Sequence, residues 1–156
     1  MLISANRSAL VCLALLACLT APLKAAQDML PGPVVAEVQR VIDGDTLVVR
    51  ANIWLGQQVE TNVRIAGIDA PELNGRCAEE STLAQAARES LTALVGAGTV
   101  TLGAIRHDKY GGRVIARVTN DQAADLGEAL VAAGLARRYD GAARGGWCPP
   151  EDASLR

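Results

Sequence analysis

The chain has 156 residues, 50% apolar, 3% aromatic and 21% charged, with a formal net charge of −2. That length suits a single domain around one core, and the high apolar and balanced charged fractions exclude a disordered chain. Four cysteines are too few for a disulfide-scaffold miniprotein, and no stretch reaches the roughly 18 consecutive apolar residues of a membrane-spanning helix.

Residues 1–26 read as a signal peptide. Arg7 precedes an apolar run from Ala9 to Leu19, and the small residues Ala21, Ala25 and Ala26 follow. A buried N-terminal helix is the competing reading. Leu15-Leu16-Ala17-Cys18 resembles a lipoprotein cleavage box, in which Cys18 would be lipidated and anchor the chain to a membrane. The Leu in its middle favours plain cleavage near Ala25 or Ala26, so the expected location is periplasmic or secreted. The mature chain then carries 13 bases and 17 acids. A protein gripping nucleic acid through bulk charge would be basic, so any phosphate site has to be local. Export leaves Cys77 and Cys148 as a pair, and an even count in an oxidising compartment suggests a disulfide. Two buried free thiols are the alternative. Neither cysteine lies in a C-x-x-C or near a histidine, which argues against zinc.

Residues 27–33 read as a linker, 34–150 as the folded domain and 151–156 as a C-terminal tail. Val34–Ile42 and Thr46–Leu55 are β-like, parted by the Asp43-Gly44-Asp45 turn. After Gly56-Gln57-Gln58 the pattern alternates from Val59 to Ile68, with Arg64 on the face opposite Val63 and Ile65. The period then becomes helical: Leu83, Ala86, Ala87, Ser90, Leu91 and Leu94 form an apolar stripe, Glu79 and Glu80 fall in the first turn, and Gly96 stops it. Strands Thr99–Arg106 and Val114–Thr119 follow. Asp125 and Glu128 make a capping box for a helix ending at Gly134. Five strands split by a helix after the third predict a mainly β fold with helices (α+β), an OB-fold five-stranded β-barrel with two or three helices. A generic α+β domain is the competitor.

Three turns carry chemistry-bearing residues: Asp43-Gly44-Asp45-Thr46, Arg64-x4-Asp69-Ala70-Pro71-Glu72, and Asp108-Lys109-Tyr110-Gly111-Gly112-Arg113. Each alone reads as a hairpin turn or a charged strand end. Together they supply carboxylates suited to Ca²⁺ or Mg²⁺ and arginine forks suited to phosphate.

The ordered set IDGDT (42–46), VRIAGIDAPE (63–72), DKYGGR (108–113) and EALVAAGLA (128–136) resembles the thermonuclease family, typified by staphylococcal nuclease, over about residues 34–139. The resemblance implies an OB-fold domain with Ca²⁺-dependent hydrolysis of DNA and RNA, single-stranded or frayed by preference. It implies Asp45 and Asp69 as Ca²⁺ ligands through their carboxylates and Ala70 through its carbonyl, with Asp43 supporting them. It implies Arg64 and Arg113 on the phosphate, Glu72 as general base, and Lys109 and Tyr110 on a terminal phosphate. No obligate protein partner is expected, and a monomer is. The alternative is a non-catalytic OB module that binds nucleic acid or protein; the retained acids and Arg64 favour the enzyme.

The chain departs from the family at Ala70, where the family usually has Thr, in the loop before Arg113, and in its C-terminal region. Its Tyr110-Gly111-Gly112-Arg113 is one residue longer than the family's Tyr-Gly-Arg. Arg113 is expected to reach the phosphate with the extra residue taken up as a bulge, the other possibility being that Gly112 displaces it. Tyr139 matches the family's base-stacking tyrosine only out of register, and the Gly/Pro-rich tail has no counterpart of the family's C-terminal helix. Cys77–Cys148 is expected to hold that tail against the first helix. His107 is read as a surface strand residue, Arg137-Arg138 as a solvated pair, and Trp54 and Trp147 as packing residues.

Overall fold

A computed structural model describes residues 29–149. The expected signal peptide, Cys18 and the 151–156 tail lie outside the described residues. The strands are β1 (Met29–Leu30), β2 (Val34–Val41), β3 (Thr46–Trp54), β4 (Gln57–Ile65), β5 (Ile68–Asp69), β6 (Thr99–His107), β7 (Arg113–Asn120) and β8 (Arg137–Arg138). The helices are α1 (Ala78–Val95) and α2 (Leu126–Ala132). Met29–Leu30, inside the stretch read as linker, pairs with β6. No described helix is long and apolar enough to cross a membrane.

The order β1-β6-β2-β3-β4-β7, with a further β6–β7 pairing, closes β2, β3, β4, β7 and β6 into a five-stranded barrel. All its pairings are antiparallel except β4–β7. This is the OB-type barrel that the strand count predicts, with β1 as an added strand. Its interior is the alternating face of the β-branched strands: Leu47, Val49, Val63, Ile65, Val100, Leu102 and Val118 are all buried, capped by Leu126 and Leu130 of α2 and Leu91 of α1. The far end of the β3–β4 hairpin leaves the core. Trp54, expected to pack, is 75% exposed there beside Leu55, because β3 outruns the barrel wall by about one turn of the hairpin.

The helix α1 is rotated slightly from the predicted stripe. Ala84, Ala87, Leu91 and Val95 are buried, while Leu83, Ala86, Ser90 and Leu94 flank them. The small alanines let the helix come down on the Asp43–Asp45 turn. A Cβ on Gly44 would lie 2.7 Å from the Ala87 Cβ and 2.8 Å from the Ala70 Cβ, so only glycine fits between them. Asp125 caps α2 as predicted, its side chain accepting the Glu128 N–H at 3.1 Å.

Cys77, the N-cap residue of α1, is bonded to Cys148, so the tail is tied to the first helix as expected. The bridge closes a loop with a sequence separation of 71 residues, for which chain-entropy models give about 4 kcal/mol. Cys77→Ser with Cys148→Ser should lower the unfolding free energy in urea by about that amount. A difference below roughly 1 kcal/mol would mean that the reduced unfolded chain is already compact. Both cysteines should resist alkylation in the unreduced protein.

Candidate active site

The β3–β4 ladder sets the site. Thr46 pairs with Arg64, and the Ile65 N–H continues the ladder onto the Asp45 carbonyl at 2.8 Å. Asp45 therefore ends β3 directly beside the Arg64 side chain, which leaves the sheet on the face opposite the core. In the turn, the Asp45 N–H donates to Asp43 Oδ1 at 2.9 Å, an Asx turn that fixes where the second carboxylate points.

Arg64 is 8% exposed, Asp45 4% and Asp69 4%. Arg64 Nη1 donates to Asp45 Oδ2 at 2.5 Å. Its Nη2 donates to the Ile68 carbonyl at 3.1 Å and lies 3.6 Å from Asp69 Oδ1. Asp45 Oδ2 also accepts the Ala70 N–H at 3.3 Å, and Oδ1 accepts the Thr46 hydroxyl at 2.8 Å. The short strand β5 brings Asp69 in by pairing with Arg137 of β8. Burial pushes the Asp45 carboxyl above its ordinary pKa; Arg64 pulls the other way and Asp43 adds to the rise. At this residue the fold gives up stability as pH climbs through the carboxylate range, since the buried charged form is the disfavoured one.

Asp69 Oδ1 is buried and makes no hydrogen bond of good geometry, although the Arg144 Nε stands 3.1 Å away. The two facts differ because the guanidinium meets the oxygen at a poor angle; proximity of charge is present, a directed bond is not. A hard oxygen left without a donor, beside a second buried carboxylate, is a donor set that fits a divalent cation.

Asp43, Asp45, Arg64, Glu72, Tyr110 and Arg113 line one open cavity of about 200 Å³. Arg113 thus lines the same cavity as Arg64 and Glu72. Within the turn, Gly112 takes φ +76°, a conformation that favours glycine. The bulge in this hairpin lies between Gly103 and Arg106 of β6. Arg113 Nε donates to Asp108 Oδ2 at 2.5 Å, and its guanidinium lies 5.0 Å from the Tyr110 ring centre. Partial burial acts to raise the Asp108 carboxyl, but the hydrogen bonds from Arg113 and the Lys109 N–H outweigh it and hold the group below its ordinary value. Lys109 sits over the outer face of the Tyr110 ring, 5.1 Å from its centre, and is not among the cavity-lining residues.

Four residues were not singled out as parts of this region by their sequence. Arg144 donates from Nη1 to Glu72 Oε1 at 2.8 Å and lines the cavity. The Asp69, Glu72 and Asp45 charges raise its pKa against the cost of its own desolvation, so it stays protonated. Trp147 donates its indole N–H to Asp69 Oδ2 at 3.3 Å, so it is more than packing. Arg137, expected in solvent, stacks on Trp147 at 3.6 Å from the ring centre and donates to the Gly145 and Gly146 carbonyls. Glu80 is buried and accepts the Arg76 N–H at 2.8 Å and the Glu72 N–H at 3.4 Å, which holds the segment that carries Glu72. Arg138 behaves as read: it is exposed and forks onto Glu128 at 2.8 and 2.6 Å. His107 is exposed at the end of β6.

The rim of this OB-type barrel thus gathers two buried acids, three arginines and an accessible glutamate. A family model described as staphylococcal nuclease homologue matches residues 62–148. That is more than half of the chain, and the protein belongs to this family. Among curated proteins, nothing matches it.

Proposed function

We propose that the protein is an exported, Ca²⁺-dependent nuclease that hydrolyses phosphodiester bonds of DNA and RNA with little sequence preference. The observation that carries this reading is the buried Asp45–Arg64–Asp69 cluster, with Asp69 Oδ1 left without a hydrogen bond. In this reading the Asp45 and Asp69 carboxylates and the Ala70 carbonyl hold the Ca²⁺, and Asp43 fixes the turn through the Asp45 N–H. Bound there, the cation would supply Lewis-acid polarisation of a phosphate oxygen.

The chain's own groups do the rest. Arg64, held by Asp45 and the Ile68 carbonyl, keeps its positive charge fixed at the wall of the cavity, where it would stabilise charge developing on the phosphate with little reorganisation. Arg113, held by Asp108, lines the same cavity and would add a second guanidinium to the phosphate. Glu72, on the open side, accepts a proton from the attacking water. Lys109 and Tyr110 would meet a terminal phosphate. Export to the periplasm or medium is consistent with the disulfide, and the protein acts as a monomer without an obligate partner.

The test is hydrolysis of single-stranded DNA and of RNA by the oxidised mature protein, in millimolar Ca²⁺ and in chelator, with Asp45→Ala alongside. Turnover that needs Ca²⁺ and disappears in Asp45→Ala is the expected result. An inert but folded wild type would turn the reading to a non-catalytic binding module.

A further inference from the structure

The tail that ends at the disulfide does more than cover the barrel. Arg144 sits four residues before Cys148, and its segment is fixed from three sides. The Cys77–Cys148 bridge holds one end. Arg137 grips the Gly145 and Gly146 carbonyls at 3.0 and 3.1 Å. The Trp147 indole reaches Asp69. The guanidinium that results bridges two acids, Asp69 through Nε at 3.1 Å and Glu72 through Nη1 at 2.8 Å. It lines both the cavity shared with Arg64 and Arg113 and the neighbouring groove of about 700 Å³ under the tail.

An ion pair as exposed as Arg144–Glu72 stabilises a fold by little, so stability alone gives no reason for three anchors around it. A placed guanidinium has another use. Its partner Asp69 is one of the acids that a cation would engage, and an arginine that loses this acid stays in the cavity held only by the exposed Glu72 carboxylate. Phosphate oxygens are what its fork binds best.

We infer that Arg144 is a third phosphate-binding arginine of this site, which bridges Asp69 and Glu72 in the metal-free protein and moves onto a phosphate oxygen of the bound nucleic acid once a divalent cation engages Asp69. The inference rests on the nuclease reading above and adds a tail-borne residue to it. Leaving Glu72 also frees that carboxylate for water, so the same movement would link substrate binding to the availability of the base.

The experiment is calorimetric titration of wild type, Arg144→Ala and Arg144→Lys with Ca²⁺ alone, then with a deoxynucleoside 3′,5′-bisphosphate in saturating Ca²⁺, followed by kcat and KM on single-stranded DNA. Arg144→Ala should bind Ca²⁺ a few-fold tighter, because no guanidinium has to leave Asp69. It should bind the bisphosphate about tenfold or more weakly, the loss expected for a charge-assisted hydrogen bond. Arg144→Lys should fall between, keeping the charge without the fork. Opposite signs for the two ligands are the signature; a merely structural arginine would move both affinities the same way or neither, and either result overturns the inference. A wild type that binds the bisphosphate in Ca²⁺ but hydrolyses neither DNA nor RNA would remove the nuclease reading and leave the Arg144 comparison decisive. A wild type that binds neither ligand removes both.

Discussion

Arg64→Ala should cost about 3–5 kcal/mol of stability in metal-free protein, because it leaves the buried Asp45 carboxylate without its counter-charge. Arg64 is the only described cation within salt-bridge distance of Asp45, at 2.5 Å, and its second nitrogen satisfies the Ile68 carbonyl. Asp45 is 4% exposed, so water cannot take over the role. The loss should shrink when millimolar Ca²⁺ is added, because a cation bound between Asp45 and Asp69 would offset the same charge. Thermal or urea unfolding with and without Ca²⁺ reads both effects. An identical loss in the two conditions would mean that these carboxylates do not take the cation, and the proposed ligand set would fall. Arg64→Lys separates charge from geometry: it should recover part of the stability and little of the hydrolysis, since the fork to Asp45 and Ile68 is gone.

The second large effect is expected at Glu72. Glu72→Gln should lower kcat by about 10²–10⁴-fold, the usual span for losing a general base. Folding should hardly change, because the Glu72 side chain is 58% exposed and its one described ion pair, with Arg144 at 2.8 Å, is exposed too. Ca²⁺ affinity should also be preserved if Asp45 and Asp69 are the ligands. A variant that hydrolyses DNA at the wild-type rate would assign water activation elsewhere. A variant that loses Ca²⁺ binding along with turnover would move Glu72 into the ligand set.

These two predictions use residues that were legible in the sequence, and the reason is that their signals are local. Asp43 and Asp45 lie in one turn between two apolar runs, and the alternation of Val63, Arg64 and Ile65 places Arg64 off the core face before any coordinates are known. The barrel was legible for the same reason: each strand announces itself over six to ten residues, and the helix between the third and fourth breaks the period cleanly. The face of α1 was read slightly out of phase because its buried side is alanine. A stripe of Ala84 and Ala87 carries a weak hydropathy signal, and what selects it is the close approach of Gly44, a contact between segments some 40 residues apart in the chain.

Arg144, Trp147, Arg137 and Glu80 were illegible for a related reason. The partners of the first two lie far away in sequence: 72 residues separate Arg144 from Glu72 and 78 separate Trp147 from Asp69, while Arg137 and Glu80 bond backbone groups of nearby loops that carry no periodic signal. The Gly-rich segment that carries Arg144 and Trp147 has no periodicity to read. One signal was available. Once Cys77 and Cys148 are joined, an arginine four residues before one sulfur and a glutamate five residues before the other are brought within a few residues of the same point. Trp54 went astray in the opposite sense, since an aromatic in a strand is usually packed and only the end of the β2–β3 pairing at Ala51 shows that it lies beyond the barrel.

The disulfide has a further consequence for a molecule exposed to proteases. Everything from Ala78 to Trp147, including α1, β6, β7 and α2, lies inside the ring that Cys77 and Cys148 close. The exposed Lys109–Gly112 loop, an open target for cleavage, is inside it as well. A single cut there would leave the N-terminal piece, with Asp45, Arg64 and Glu72, covalently joined to the C-terminal piece with Arg113 and Arg144. The nicked molecule would keep its mass and its two halves in register, and would come apart only if the bridge were also reduced.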